Sequence, residues 1–309
     1  MPEPSMPLMP DGAGDTSLIG QTLGARYRVE RRVGLGGTAH VYLARDSEHD
    51  GHVAIKVMLP QLISEPSLVD RLRREAVIAM RLDHPNVCPI IAVGETDEGH
   101  VYLVMPFLPG EPLALREIRH GPLPVGDGIP ILAQICRGLG HAHGLQILHR
   151  DLKPENVMLV PDRDAEGGTR AVVMDFGLAK ILQEDPELQR LTRSGIVLGT
   201  PEFMSPEQLM GKELDGRSDL YATGVLAFEM FTGRLPFEGK NVQEVALARL
   251  KGAPHRLRWV QPELPDTLDA VIAKALAQNP AERFQTMDEL GAGFASVTQK
   301  TGLLDRLFR

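Results

Sequence analysis

The sequence predicts an α+β chain in two parts, a small β-rich lobe carrying one helix and then a larger, mainly helical lobe. Three observations predict it. Alternating, β-branched stretches dominate from Tyr27 to Met58. Helical spacing appears once, between Leu62 and Leu82, before strand patterns resume. Beyond Pro106–Gly110, a connector with two prolines and a glycine, most apolar patterns have the helical period.

Taken in order, residues 1–17 carry Pro2, Pro4, Pro7 and Pro10 with Gly12 and Gly14 and have no apolar period, which reads as a disordered tail; we draw it to residue 24. Strand pattern runs from Tyr27 to Ala44, interrupted at Gly34-Leu35-Gly36-Gly37, and returns at His52–Met58 after a turn at Ser47–Gly51, so a hairpin is expected. Pro66 and Ser67 mark a helix start, with Leu68, Leu72, Ala76, Ala79 and Met80 at helical spacing, and His84-Pro85-Asn86 ends it. Strands fit Val87–Gly94 and His100–Met105. The first lobe is thus expected over 25–105 and the second over 106–298, hinged at 106–110, with a short tail at 299–309. Helices fit Asp127–His143, Ser218–Thr232, Val242–Lys251, Leu264–Gln278 and Thr286–Thr298. Tyr221–Phe231 is apolar almost all round and should be buried.

The bulk numbers exclude several functions. At 309 residues and 43% hydrophobic, the chain can bury a large core, and its net charge of -8 argues against a nucleic-acid or anionic-membrane binder. No apolar run approaches the roughly eighteen residues of a membrane span. Met1–Asp15 has neither the basic region nor the apolar core of a secretory signal, and Cys88 and Cys136 form no CxxC pair, so two buried thiols in a reducing cytoplasm are expected.

The chemistry concentrates in His149-Arg150-Asp151-Leu152-Lys153-Pro154-Glu155-Asn156, a charged loop between a helical pattern and the apolar run Val157–Val160. Loops held between buried elements are where a scaffold presents reactive groups, although a plain charged turn broken by Pro154 is the alternative. Val33-Gly34-Leu35-Gly36-Gly37-Thr38-Ala39-His40-Val41 approximates GxGxxGxV, with Ala39 in place of the third glycine. Glycines let backbone N–H groups approach a phosphate; a simple hairpin turn is the alternative. A strand follows the loop, which removes the dinucleotide-binding reading, and no Gly-Lys-Ser/Thr follows, which removes a Walker A loop. Val53-Ala54-Ile55-Lys56 sets a lysine within an apolar strand. An inward ammonium requires a partner, for which Glu75 is the candidate; otherwise Lys56 reaches to water and Glu75 is one solvated charge among several.

With Lys56, Glu75, the His149–Asn156 stretch and Asp175-Phe176-Gly177 in this order, the chain resembles the eukaryotic-like (Hanks-type) bacterial protein serine/threonine kinases over roughly Tyr27 to Ser296. Each motif alone is weak; the ordered set is specific. The resemblance implies a bilobal protein-kinase-like fold that binds ATP and Mg²⁺, which Mn²⁺ could replace, and phosphorylates Ser/Thr hydroxyls of proteins, itself included. Gly34, Gly36 and the adjacent loop residues would cover the phosphates. Lys56 would hold the α/β-phosphates and pair with Glu75, Asp151 would accept the substrate hydroxyl proton, Lys153 would neutralise the γ-phosphate, and Asn156 and Asp175 would hold the metal. Adenine would lie against Val41, Ala54 and Leu159, with Met105 behind it and the backbone of Pro106, Phe107 and Leu108 alongside.

Lys153 and Thr200 fit the serine/threonine branch. Glu207, in Ser205-Pro206-Glu207, would pair with Arg283, and Asp219 would hold the backbone at His149 and Arg150. Thr192 and Ser194 stand where bacterial members place phosphorylatable hydroxyls, and Arg150 would pair with the added phosphate. A transient dimer would serve autophosphorylation. Two departures stand out: Ala39, and Pro106 where a glutamate is common. His141, His143 and His149 lack zinc-like spacing, with His149 expected to pack and hydrogen-bond beneath the loop. The competing functions are a pseudokinase scaffold, which would have lost Lys56, Asp151 or Asp175, and a small-molecule phosphotransferase, which the Gly199–Gln208 segment argues against. Many bacterial relatives continue through a membrane span to a sensor, so either a free cytoplasmic kinase or a fragment is expected.

Overall fold

The structure, a computed structural model, describes residues 18–36, 39–59, 66–176 and 201–307. Gly37, Gly177, Thr192, Ser194, Thr200 and residues 1–17 lie outside the described residues. The chain divides into two compact units, Met1–Met80 with Ile90–Phe107, and Arg81–Pro89 with Leu108–Arg309.

The smaller unit is a six-stranded antiparallel sheet with one helix. In chain order its strands are β1 (Thr22–Leu23), β2 (Tyr27–Leu35), β3 (Ala39–Asp46), β4 (Gly51–Met58), β5 (Ala92–Glu95) and β6 (Val101–Pro106), and the spatial order is β1-β2-β3-β4-β6-β5. Alternation on β4 sends Val53, Ile55 and Val57 into a core with Val29, Tyr42, Ala44, Tyr102 and Val104; each buried valine or isoleucine contributes about 1.5–3 kcal/mol. Helix α1 (Pro66–Ala79) begins at a proline, whose missing N–H costs nothing in a first turn, and buries Leu72, Ala76 and Ala79. Residues 18–24 are folded rather than part of a tail. Leu18 and Leu23 enter the core, and Val29 donates to the Gln21 carbonyl at 2.9 Å.

The larger unit contains α2 (Leu113–His120), α3 (Val125–Gly144), α4 (Pro206–Leu209), α5 (Gly216–Thr232), α6 (Val242–Lys251), α7 (Leu257–Val260), α8 (Asp266–Ala275) and α9 (Met287–Leu307). A small antiparallel sheet, β7 (Glu111–Pro112), β8 (Val157–Pro161) and β9 (Thr169–Val173), joins them. At the centre lies α5, capped by the Asp215 side chain and ended by left-handed Gly233, with almost every side chain buried as its all-round apolarity predicts. Helix α3 runs through Pro130, which removes one donor near the start without ending the helix.

The expected Val87–Gly94 strand is corrected. Only Ala92–Glu95 is a strand; Val87 instead makes an isolated parallel bridge with Val173 inside the larger unit, and Pro89 cannot donate to a ladder. Helix α2 and strands β1, β7 and β9 were not anticipated.

Candidate active site

The charged loop follows α3, whose last turn closes on the Ala142 carbonyl through Leu145 and Ile147. Its anchor is Asp219, in the first turn of α5. One carboxylate oxygen accepts the His149 N–H at 2.9 Å and His143 Nε2–H at 2.8 Å, and the other accepts the Arg150 N–H at 2.9 Å. Burial disfavours the Asp219 charge, yet the hydrogen bonds from His143 and from the His149 N–H hold its carboxyl below the usual range. Arg150 occupies the left-handed region, φ 68°, a conformation that costs a non-glycine residue about 1–3 kcal/mol. Its carbonyl accepts from Gln208 Nε2 at 2.8 Å.

His149 is completely buried and joins two segments. Its Nε2–H donates to the Met174 carbonyl at 2.7 Å, so Nδ1 is the acceptor for the Asp151 N–H at 3.3 Å, and the ring is the neutral Nε2–H tautomer. Phe176 packs edge-on against that ring, centroids 4.8 Å apart. The segment bearing Asp151 and the segment bearing Asp175 therefore share one buried imidazole. Asp175 is half-buried and, like Arg150, left-handed, φ 63°.

Lys153 Nζ lies 3.1 Å from Asp151 Oδ2. Asn156, 7% exposed at the end of the Pro154–Asn156 helical turn, donates Nδ2–H to the Asp151 carbonyl at 2.7 Å and faces Asp151 Oδ2 at 3.4 Å. Oxygen donors on Asn156 and Asp175 are the hard ligands that a small divalent cation takes. Asp151, Lys153, Asn156 and Asp175 are thus gathered in the larger unit.

Lys56 and Glu75 belong to the smaller unit, both half-buried. Lys56 sits in β4 opposite Val41 of β3 and Leu103 of β6, and Glu75 lies in α1 beside buried Leu72 and Ala76. Ala54 pairs with Met105. Gly34 pairs with Val41 next to a register shift after Arg32, Val33 and Leu35 belong to β2, and the Gly36 N–H donates to the Ala39 carbonyl at 2.9 Å. Ala39 opens β3 as a buried residue paired with Met58, without a positive φ, so its methyl group is accommodated in regular strand. Phe107 ends the smaller unit and Leu108 resumes the larger one. Leu159 lies in β8, paired with Glu111 and Ala171.

Sequence reasoning gave His143 and Gln208 no role, although Ser205 and Gln208 have the S-x-x-Q spacing of a capping box. It also passed over Arg249, a buried side chain of α6 that donates to the carbonyls of Pro201, Glu202 and Met204.

A family model for the protein kinase domain matches residues 27–294. The chain belongs to that family. A protein kinase domain uses ATP and a divalent cation. Among similar proteins, serine/threonine-protein kinase pkn3 of Myxococcus xanthus is 37% identical over 289 residues, 93% of this chain and 52% of that protein. Serine/threonine-protein kinase PrkC of Bacillus subtilis is 36% identical over 292 residues, 94% of this chain and 43% of that protein. The chain therefore spans about half the length of the curated relatives it matches. The crystal structure of the Mycobacterium tuberculosis PknI kinase domain superposes with a TM-score of 0.72 at 27% identity, covering 92% of this chain and 100% of that one. No helix among the described residues is long and apolar enough to cross a membrane.

Proposed function

We propose that this protein is a protein serine/threonine kinase that transfers the γ-phosphoryl group of ATP to Ser or Thr hydroxyls of other proteins. The observation that carries the reading is the Asp151–Lys153–Asn156 grouping, with Lys153 3.1 Å from the Asp151 carboxylate and the loop backbone held by Asp219 and His149. In the transfer, the acceptor hydroxyl gives its proton to Asp151 as its oxygen bonds to the γ-phosphorus. The bond to the β–γ bridging oxygen breaks and ADP leaves. The transition state is loose and metaphosphate-like, so positioning and charge neutralisation dominate. Lys153 neutralises the γ-phosphate, and Lys56, partnered by Glu75, holds the α/β-phosphates. Mg²⁺ held by Asn156 Oδ1 and the Asp175 carboxylate would supply further neutralisation of phosphate charge. The family resemblance assigns the adenine to Val41, Ala54, Met105 and Leu159 with the backbone of Pro106–Leu108, and the phosphates to Gly34, Gly36 and the adjacent loop residues.

Autophosphorylation of Thr192 and Ser194 is the regulatory part of the proposal, with Arg150 pairing to the added phosphate and a transient dimer presenting one copy's segment to another. Thr200 is a further regulatory position of the same proposal. The cytoplasm is the compartment that suits the buried free thiols Cys88 and Cys136.

The test is a radiolabel assay with Mg-ATP and a generic basic protein, run beside Asp151→Asn. Transfer by wild type, reduced ~10²- to 10⁴-fold in the variant, is expected. No transfer by wild type makes the chain a scaffold, and transfer only to small molecules makes it a small-molecule phosphotransferase. Phosphopeptide maps of active enzyme that lack Thr192 and Ser194 remove the regulatory part.

A further inference from the structure

We propose that Gln208 is a positioning residue for phosphoryl transfer, fixing the peptide plane that precedes Asp151; this rests on the kinase reading above. The carbonyl of Arg150 and the N–H of Asp151 belong to one planar peptide unit. Gln208 Nε2–H donates to that carbonyl at 2.8 Å, and His149 Nδ1 accepts that N–H at 3.3 Å. One residue earlier, Asp219 holds the Arg150 N–H at 2.9 Å. Both edges of the plane are therefore restrained by side chains, one of them 58 positions away in sequence, and the left-handed φ of Arg150 persists between them.

The Gln208 amide cannot turn over to serve this purpose in reverse. Its Oε1 accepts the N–H of fully buried Ser205 at 2.9 Å and the Ser205 hydroxyl at 3.1 Å, which aims Nε2 at Arg150. Next to it, Glu207 is clamped by Arg283 at 2.7 Å and 2.8 Å. The Gln208 amide thus joins the segment that leads into α4 to the Asp151 loop. Rotation of the 150–151 plane would swing the Asp151 carboxylate off the acceptor hydroxyl, and misplacements of about 1 Å cost on the order of 10²-fold in rate.

A competing role for Gln208 is only to cap α4, and Gln208→Glu separates the two. A carboxylate still accepts from the Ser205 N–H and hydroxyl, so the cap survives, but it has no hydrogen for the Arg150 carbonyl. We expect Gln208→Glu to keep a cooperative unfolding transition while kcat falls ~10- to 100-fold at unchanged KM for ATP. Gln208→Met, which loses cap and donor together, should show the same kcat loss with a lower melting temperature. Wild-type kcat in either variant overturns the proposal. Wild type and Asp151→Asn are assayed in parallel: if wild type transfers nothing, the kinase reading and this proposal fall together. If wild type transfers, Asp151→Asn does not, and Gln208→Glu is normal, this proposal alone falls.

Discussion

Arg283 and Glu207 meet in a two-pronged ion pair, Nη1 to Oε1 at 2.7 Å and Nη2 to Oε2 at 2.8 Å, with no part of the arginine side chain exposed. The arginine also donates to the carbonyls of Arg217, Ala277 and Gln278 and lies 4.8 Å over the Tyr221 ring, while Ser218 donates to Glu207. Burial works against the Glu207 charge, and the Arg283 hydrogen bonds still bring its carboxyl below the usual range. Both charges of this pair have answering groups, and that is the condition under which a buried pair is tolerated. Arg283→Met should cost about 3–5 kcal/mol in chemical denaturation, because it strands a buried carboxylate. Combined with Glu207→Gln, the loss should be clearly smaller than the sum of the single losses; strict additivity would contradict the pair.

Arg249 is the second buried guanidinium, and its hydrogen-bond partners are backbone carbonyls: Pro201, Glu202 at 2.5 Å and Met204 at 2.9 Å. It also stacks 5.3 Å from the Phe237 centroid, and burial lowers its pKa. Arg249→Ala should destabilise by roughly 2–3 kcal/mol through unpaired carbonyls. Under the kinase reading it should also raise KM for a protein acceptor several-fold and leave KM for ATP unchanged. An unaltered acceptor KM would limit Arg249 to a stabilising role.

Glu117 of α2 and Glu229 of α5 should make stability fall as pH rises. Burial and then Glu229 push the Glu117 carboxyl up to about 8, and burial and then Glu155 push Glu229 up to about 7. Each raised carboxyl keeps a proton in the folded chain that the unfolded chain has already released above about 4.5. The folded state therefore binds more protons between that pH and the folded pKa values, and stability declines across the window. Glu117→Gln should flatten the fall in melting temperature between about pH 5 and pH 8. A slope identical to wild type would remove Glu117 from this role.

Gly110 is packed so closely on β8 that a Cβ would stand 2.2 Å from the Leu159 carbonyl oxygen. Backbone on that side cannot turn away as a side chain could. Gly110→Ala should cost about 1–3 kcal/mol as the strand shifts, and under the kinase reading it should raise KM for ATP, since Leu159 faces the adenine. Unchanged values for both would show that β8 yields freely.

Long elements with one strong period were legible in the sequence. Helix α6 runs from Val242 to Lys251 as its pattern predicts, and α5 is buried as its apolarity predicts. Short elements were not. Strand β7 has two residues, too few for any alternation, and α2 follows Glu111-Pro112 with half-buried and exposed residues along most of its length. Val87 has the β-branched shape of a strand residue, but its partner is Val173, and nothing local to position 87 signals a bridge that distant. At the candidate site, residue types were readable because charge on a loop between apolar runs is itself a signal. The supports were not, because Gln208 meets Arg150 across 58 positions and His143 meets Asp219 across 76. A periodic pattern carries no information about which amide will find which carbonyl.

The bridge at Val87 also sets an order of events during synthesis. Residues 81–89 emerge between α1 and β5, yet Asn86 needs the Ala171 carbonyl at 2.8 Å and Gln134, and the Cys88 N–H needs the Val173 carbonyl at 2.9 Å. At about 5–20 residues per second, β9 leaves the ribosome roughly 4–17 s after Val87. Until then this stretch has no seat, and the smaller unit must hold its two chain-separated pieces together across an unanchored excursion. A nascent chain stalled before Val173 should therefore be open to protease at 81–89 while its sheet is already closed, so the smaller unit cannot be excised as one contiguous piece without carrying an orphan segment with it.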